Sequence, residues 1–286
     1  MFYGFAESVS LRVFALISAC FGVGFGFLGC SQSSSEATAS EPTGELPLEV
    51  NFAGATKSWS YETISALLSE SFVFDNGSYF DGRAVKVVRM ATFWEAVDPE
   101  GAADVMTAYC KDKYFSVYTR DFVETYNPFI IYEVDGNTPS AWTDGLENAS
   151  PFFISCAFEE GTPPYLDKGH KQPWGVESVT FGKYDELFSV FYEAGFADLS
   201  EPAHTGRKIW INSCASCHQG PSDGIGGHKA VRPWEVLAVH ARHNESYFIN
   251  YTRDPKSINP AGLMEPHPQY SDEQMAALVA FLTTEI

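Results

Sequence analysis

The sequence predicts two folded domains of different class: a strand-dominated α+β domain over residues 47–198 and an all-α domain over residues 199–286. Three observations predict this division. Short runs rich in Val, Ile, Phe and Tyr recur between residues 84 and 181, bounded by turn-forming residues. From residue 206 onward apolar residues recur at helical spacing instead. The charge divides the same way. The 286 residues carry a net charge of −19, and residues 201–286, with nine acidic and seven basic side chains, contribute only about −2 of it. The length suits two modest domains, and 45% hydrophobic with 15% aromatic residues supports packed cores. Strong net acidity argues against nucleic acid as a partner. It is compatible with a basic partner, or simply with solubility.

In chain order, residues 61–68 read as a short helix and residues 84–89 as a strand. Strands follow at 104–108, 114–118, 129–134, 152–158 and 178–181, with a helical turn at 120–126 and Asp135-Gly136 punctuating the chain after one strand. No hydrolase motif, phosphate loop or metal-spaced histidine cluster stands out in this region. Its two thiols, Cys110 and Cys156, either pair in an oxidising compartment or remain as buried thiols.

The all-α region centres on Cys214-Ala215-Ser216-Cys217-His218. C-x-x-C-H is the attachment pattern of a covalent haem. Two thiols two residues apart each add to one vinyl group of a porphyrin, and the adjoining His218 is placed to ligate its iron. No second C-x-x-C is present to complete a zinc site. Gly206 and Trp210 share one face of a short helix leading into the motif, with glycine allowing another helix close approach. A Gly-rich turn spans residues 220–227. Trp234, Leu237, Ala238 and Ala241 then mark a helix, and Tyr247, Phe248 and Tyr251 another, stopped by Asp254-Pro255. Ser271 and Gln274 form a capping-box pattern before a last helix whose apolar stripe is Met275, Leu278, Val279 and Leu282, with Phe281 facing the Gly206/Trp210 side. The second axial ligand is expected from Met264, on a loop before that helix. Met275 is the rival, but it sits in the apolar stripe; His228, His240, His243 and His267 are the imidazole alternatives.

With these features in order, residues 200–286 are similar to a small class I cytochrome c domain. The resemblance implies one covalent haem c, His218 and Met264 as its iron ligands, and a proline carbonyl (Pro221 or Pro233) accepting the Nδ1 proton of His218. More faintly, Cys110 through Pro139 resembles the core of the sulfite-oxidase-type molybdopterin-binding fold, which implies Cys110 as a molybdenum ligand. Lys113 stands where that family has glycine, and no set of basic residues for the pterin phosphate is evident, so molybdopterin is not expected to bind.

The N-terminus resembles an export signal of the bacterial lipoprotein type. Residues 13–28 are apolar and Phe27-Leu28-Gly29-Cys30 looks like a lipoprotein cleavage box, which implies a lipid on Cys30. A Ser-rich tether follows over residues 31–46. Ser31, in place of the aspartate that retains lipoproteins in the inner membrane, points to the outer membrane. The expected function is therefore one-electron transfer by an exported, membrane-anchored monohaem cytochrome with redox protein partners in the periplasm. A molybdenum oxidoreductase with a fused haem relay, or a docking subunit of a redox complex, are the alternatives.

Overall fold

The computed structural model describes residues 46–284 except 75–79, 81, 144, 157–170, 194–195, 222–225 and 227–232. The expected export segment, Cys30 and the tether up to residue 45 lie outside the described residues. Residues Thr43–Ile286 form one compact unit.

In chain order the strands are β1 (Leu48–Phe52), β2 (Ala55–Trp59), β3 (Ser69–Phe74), β4 (Arg83–Arg89), β5 (Val105–Cys110), β6 (Phe115–Thr119), β7 (Phe129–Val134), β8 (Phe153–Ser155) and β9 (Val176–Gly182). The helices are α1 (Tyr61–Ser65), α2 (Met90–Val97), α3 (Arg120–Tyr126), α4 (Tyr184–Leu187), α5 (Glu201–Ile209), α6 (Trp234–His243), α7 (Glu245–Arg253), α8 (Pro255–Ile258) and α9 (Asp272–Leu282). The predicted classes hold: the N-terminal region is strand-rich, and the region from residue 200 is helical.

Two sheets make up the strand-rich region. One has the order β2-β1-β9-β5-β6, antiparallel except for the parallel β1–β9 pair; the other is β3-β4-β7-β8. Residues from both sheets, among them Met106, Val179, Ile130 and Ile154, pack into one core with Phe93 and Trp94 of α2 and Phe122 of α3. A second core, built on Phe129, Ile131 and Phe153, covers the other face of the four-stranded sheet. The other face of the five-stranded sheet is covered by the helical region: Val105, Phe115 and Val117 share a core with Trp210, Trp234, Leu278 and Phe281. Burial on both faces explains why β5, β6 and β7 read as nearly continuous apolar runs rather than alternating ones.

Several elements escaped the sequence reading for identifiable reasons. β1 and β2 join through Ala53-Gly54, both at positive φ (51° and 75°), in a two-residue hairpin turn without the usual Asn-Gly signal. β2 is almost wholly exposed, so it lacks apolar alternation. α2 follows β4 directly, and its N-cap Arg89 makes no side-chain capping bond, so the usual start signal is missing.

Candidate functional site

Helix α5 opens with Pro202 in its first turn, where a missing N–H costs nothing, and packs against α9. Gly206 is the contact point. A Cβ there would lie 2.0 Å from the Ala277 carbonyl oxygen and 2.7 Å from Phe281 Cβ, so the close approach read from the sequence is required by the structure. α9 is fixed at its start by the predicted capping box: Ser271 Oγ accepts from Gln274 N, and Gln274 Oε1 accepts from Ser271 N.

After α5 the chain widens into a π-helical segment, Trp210–Cys214. Single π turns of this kind are rare and tend to mark functional sites. The segment delivers Cys214 into a tight turn in which the N–H groups of Cys217 and His218 both donate to the Cys214 carbonyl, at 3.0 and 2.8 Å. Neither cysteine is in a disulfide; Cys214 is buried and Cys217 half-buried. Burial, with Cys217 adding to it, pushes the Cys214 thiol up to about 12. The His218 ring lies 6.2 Å from the ring of Trp210, tilted by 36°. Trp210 packs edge-on against Trp234 at 4.9 Å, and Trp234 against Phe281 at 5.1 Å, so an aromatic stack runs from the imidazole to α9. Gly226, at φ +95°, closes over the turn: a Cβ there would come within 2.4 Å of the carbonyl oxygens of Ala215 and His218.

Met264 is half-buried in the loop between α8 and α9. That loop is pinned at several points. His267 N donates to the Thr252 carbonyl at 3.0 Å, the Tyr270 hydroxyl bonds Ser213 Oγ in the π-helical segment, and Arg253 bonds the Tyr270 carbonyl and Asp272. The alternatives to Met264 are disposed differently. Met275 is fully buried in the core of α9, and His240 and His243 are exposed on α6. His267 is buried, with its ring stacked on Tyr270 and its Nδ1 3.3 Å from Gln269. His228 lies outside the described residues.

The strand-rich region supplies a wall that the sequence reading missed. Tyr114, just before β6, bonds Ser216 inside the motif and lies close enough to Cys217 for the two to influence each other; burial first, then Cys217, raises its phenol. Lys171, 5% exposed, donates to the carbonyl of Val117 in β6 and, at 2.8 Å, to the carbonyl of Asn212 in the π-helical segment. Neither residue carries a motif, and only proximity in the fold identifies them.

Cys110 ends β5; among the described residues no group of three or more His, Cys, Asp or Glu side chains is placed to hold a metal ion. Burial, then Asp112 and Glu177, raises its thiol, which opposes the thiolate form a metal takes. Lys113 adopts φ +72°, a left-handed conformation that favours glycine, in the turn joining β5 to β6. Cys110 and Cys156 are free, buried thiols in one core.

Residues 203–285 match the family model for cytochrome c. The C-terminal region is a cytochrome c domain. Among curated proteins, the chain is 30% identical over 103 residues to a cytochrome c oxidase subunit 2 of Alkalihalophilus pseudofirmus, covering 33% of this chain and 30% of that protein. It is 26% identical over 114 residues to a photosystem II extrinsic protein V of Parasynechococcus marenigrum, covering 39% and 64% of the two chains. A Porphyra purpurea protein of the same name is 29% identical over 87 residues, covering 30% and 53%. The chain thus spans less than two thirds of the length of these relatives.

A cytochrome c domain implies haem c, and the residues fit it. Two cysteines outside any disulfide and an imidazole share one turn beside an aromatic wall. Trp210 Nε1 is buried there with no hydrogen-bond partner among the described residues, an orphan N–H close to the His218 imidazole. No helix among the described residues is long and apolar enough to cross a membrane.

Proposed function

We propose that the chain is an exported monohaem electron carrier, held at the membrane by a lipid on Cys30 and exchanging single electrons with periplasmic redox proteins. The observation that carries this is the turn from Cys214 to His218, with neither cysteine in a disulfide and the imidazole set against Trp210. When bound, haem c supplies one reversible electron at its iron. Cys214 and Cys217 hold the porphyrin as thioethers. His218 and the Met264 sulfur ligate the iron, a pairing that raises the reduction potential. Trp210, Trp234 and Phe281 exclude water on the His218 side. A cytochrome c oxidase subunit 2 among the relatives is compatible with haem-based electron transfer. The strand-rich region serves as a scaffold that braces the motif through Tyr114 and Lys171, with no pterin cofactor of its own.

The test is expression with a working haem c maturation system. The wild type should stain for haem on a denaturing gel at one haem per chain and fractionate with membranes. Cys214→Ala with Cys217→Ala should abolish the stain, and Cys30→Ser should release or mislocalise the haem-bearing protein. A wild type without covalent haem overturns the reading.

A further inference from the structure

We propose that Lys171 is a positioning residue for the haem-bearing turn and that proton binding at its amine is coupled to the electron affinity of the haem. The inference rests on the haem reading above and goes beyond it, because it gives the strand-rich region a part in setting the potential.

Lys171 is the charged side chain buried at the seam between β6 and the π-helical segment. Its backbone is left-handed, at φ +57°, an uncommon conformation for a residue with a long side chain. That backbone is held in part by Tyr118, whose hydroxyl donates to the Lys171 carbonyl at 3.0 Å. The amine extends over the rings of Tyr118 and Phe122, 5.7 and 5.5 Å from their centroids, and donates to the carbonyls of Val117 and Asn212. Asn212 precedes Cys214 by two residues, so the amine lies within about 10 Å of the Cys214 backbone. A cation at the end of a helical segment also satisfies carbonyls that lack an intrahelical partner.

Among the described residues the amine bonds two carbonyls and no carboxylate pairs with it. Among the described residues the titratable groups facing it are the Cys156 thiol, the Tyr118 phenol on β6 and, along the same seam, Tyr114, all of them raised by burial and therefore neutral near pH 7. From α3 it meets the Phe122 ring, and Tyr184 of α4 donates its hydroxyl to the side-chain oxygen of Asn212, the residue whose carbonyl the amine bonds. Burial pushes the Lys171 amine down to about 7, opposed by Cys156. The small cavity between Ser116, Val117, Lys171 and Ser213 gives the amine a polar neighbourhood.

The coupling has a definite sign. Oxidised iron carries one more positive charge than reduced iron, so it disfavours the ammonium. One electron gained at the haem is then accompanied, near pH 7, by fractional uptake of one proton from solvent at Lys171 Nζ. The potential should be high and flat where the amine is protonated in both oxidation states, fall as pH rises through neutrality, and level off lower. A charge at this range in a partly shielded interior shifts the reduced-to-oxidised ratio roughly three- to tenfold; tenfold corresponds to about 59 mV for one electron.

Spectroelectrochemical titration of the haem-loaded protein between pH 5 and 10 tests this, with the electrode as electron source. The wild type should show the step near pH 7. Lys171→Met should give a low, flat potential, and Lys171→Arg, whose charge does not titrate, a high, flat one. A second readout is independent of the electron. An amine lowered by folding binds fewer protons than in the unfolded chain between about pH 7 and 10.4, so wild-type stability rises with pH there. Lys171→Met should remove that rise from the denaturation midpoint. A wild type with no step near neutrality, or a Met variant that keeps it, overturns the inference. If the Met variant does not fold, the wild-type and Arg profiles decide. Absence of covalent haem on a denaturing gel would instead overturn the haem reading itself.

Discussion

Met264 carries its assignment through its place in the chain: a half-buried thioether in a loop that Tyr270 ties to the segment before Cys214. Thioether ligation favours reduced iron more than imidazole does. Met264→His should therefore lower the midpoint potential by a sizeable part of the ~0.8 V span that axial ligands cover, and should remove the weak sulfur-to-iron band of the oxidised protein. An unchanged potential and spectrum would move the ligand to another residue. At this scale the sequence was most legible where chemistry fixes spacing. Cys214, Cys217 and His218 announce themselves because a porphyrin has fixed vinyl positions. Lys171 and Tyr114 do not, because a single lysine or tyrosine carries no spacing. Only folding places them against Asn212 and Ser216.

Helices α5 and α9 are the elements on which the site is mounted, and Gly206 sets their separation. Gly206→Ala adds a methyl where the Ala277 carbonyl already stands, so the helices must part or tilt. Overpacking of this kind typically costs about 1–3 kcal/mol, and the displacement would be felt at Trp210, four residues on. The expected result is a lower denaturation midpoint with altered near-UV signals from the Trp210, Trp234 and Phe281 stack. A variant as stable as the wild type would show that the α5–α9 contact is looser than described. Both helices were readable beforehand, through glycine at one contact and the Ser271/Gln274 box at the other. The π-helical segment Trp210–Cys214 was not: it packs against β6, and no periodicity or capping residue in the chain marks its wider turn.

Over the whole molecule, Val105, Phe115 and Val117 of the five-stranded sheet share a core with Trp210, Trp234 and Phe281 of the cytochrome c domain. A shared core couples the stability of both regions, and residues Thr43–Ile286 form one compact unit. Denaturant unfolding followed by haem absorbance and by far-UV circular dichroism should therefore give coincident transitions. Two separated midpoints would show that the regions melt independently. The sequence by itself determined the two structural classes, the place of the C-x-x-C-H motif in the helical region and the capped last helix. Each of these is set by local periodicity, capping or fixed ligand spacing. Only the tertiary structure decided what covers the outer face of the five-stranded sheet, and that Tyr114, just before its edge strand, and Lys171, bonded to that strand, would meet the segment around Cys214. Those contacts join residues far apart in the chain, and long-range packing leaves no period or motif behind it.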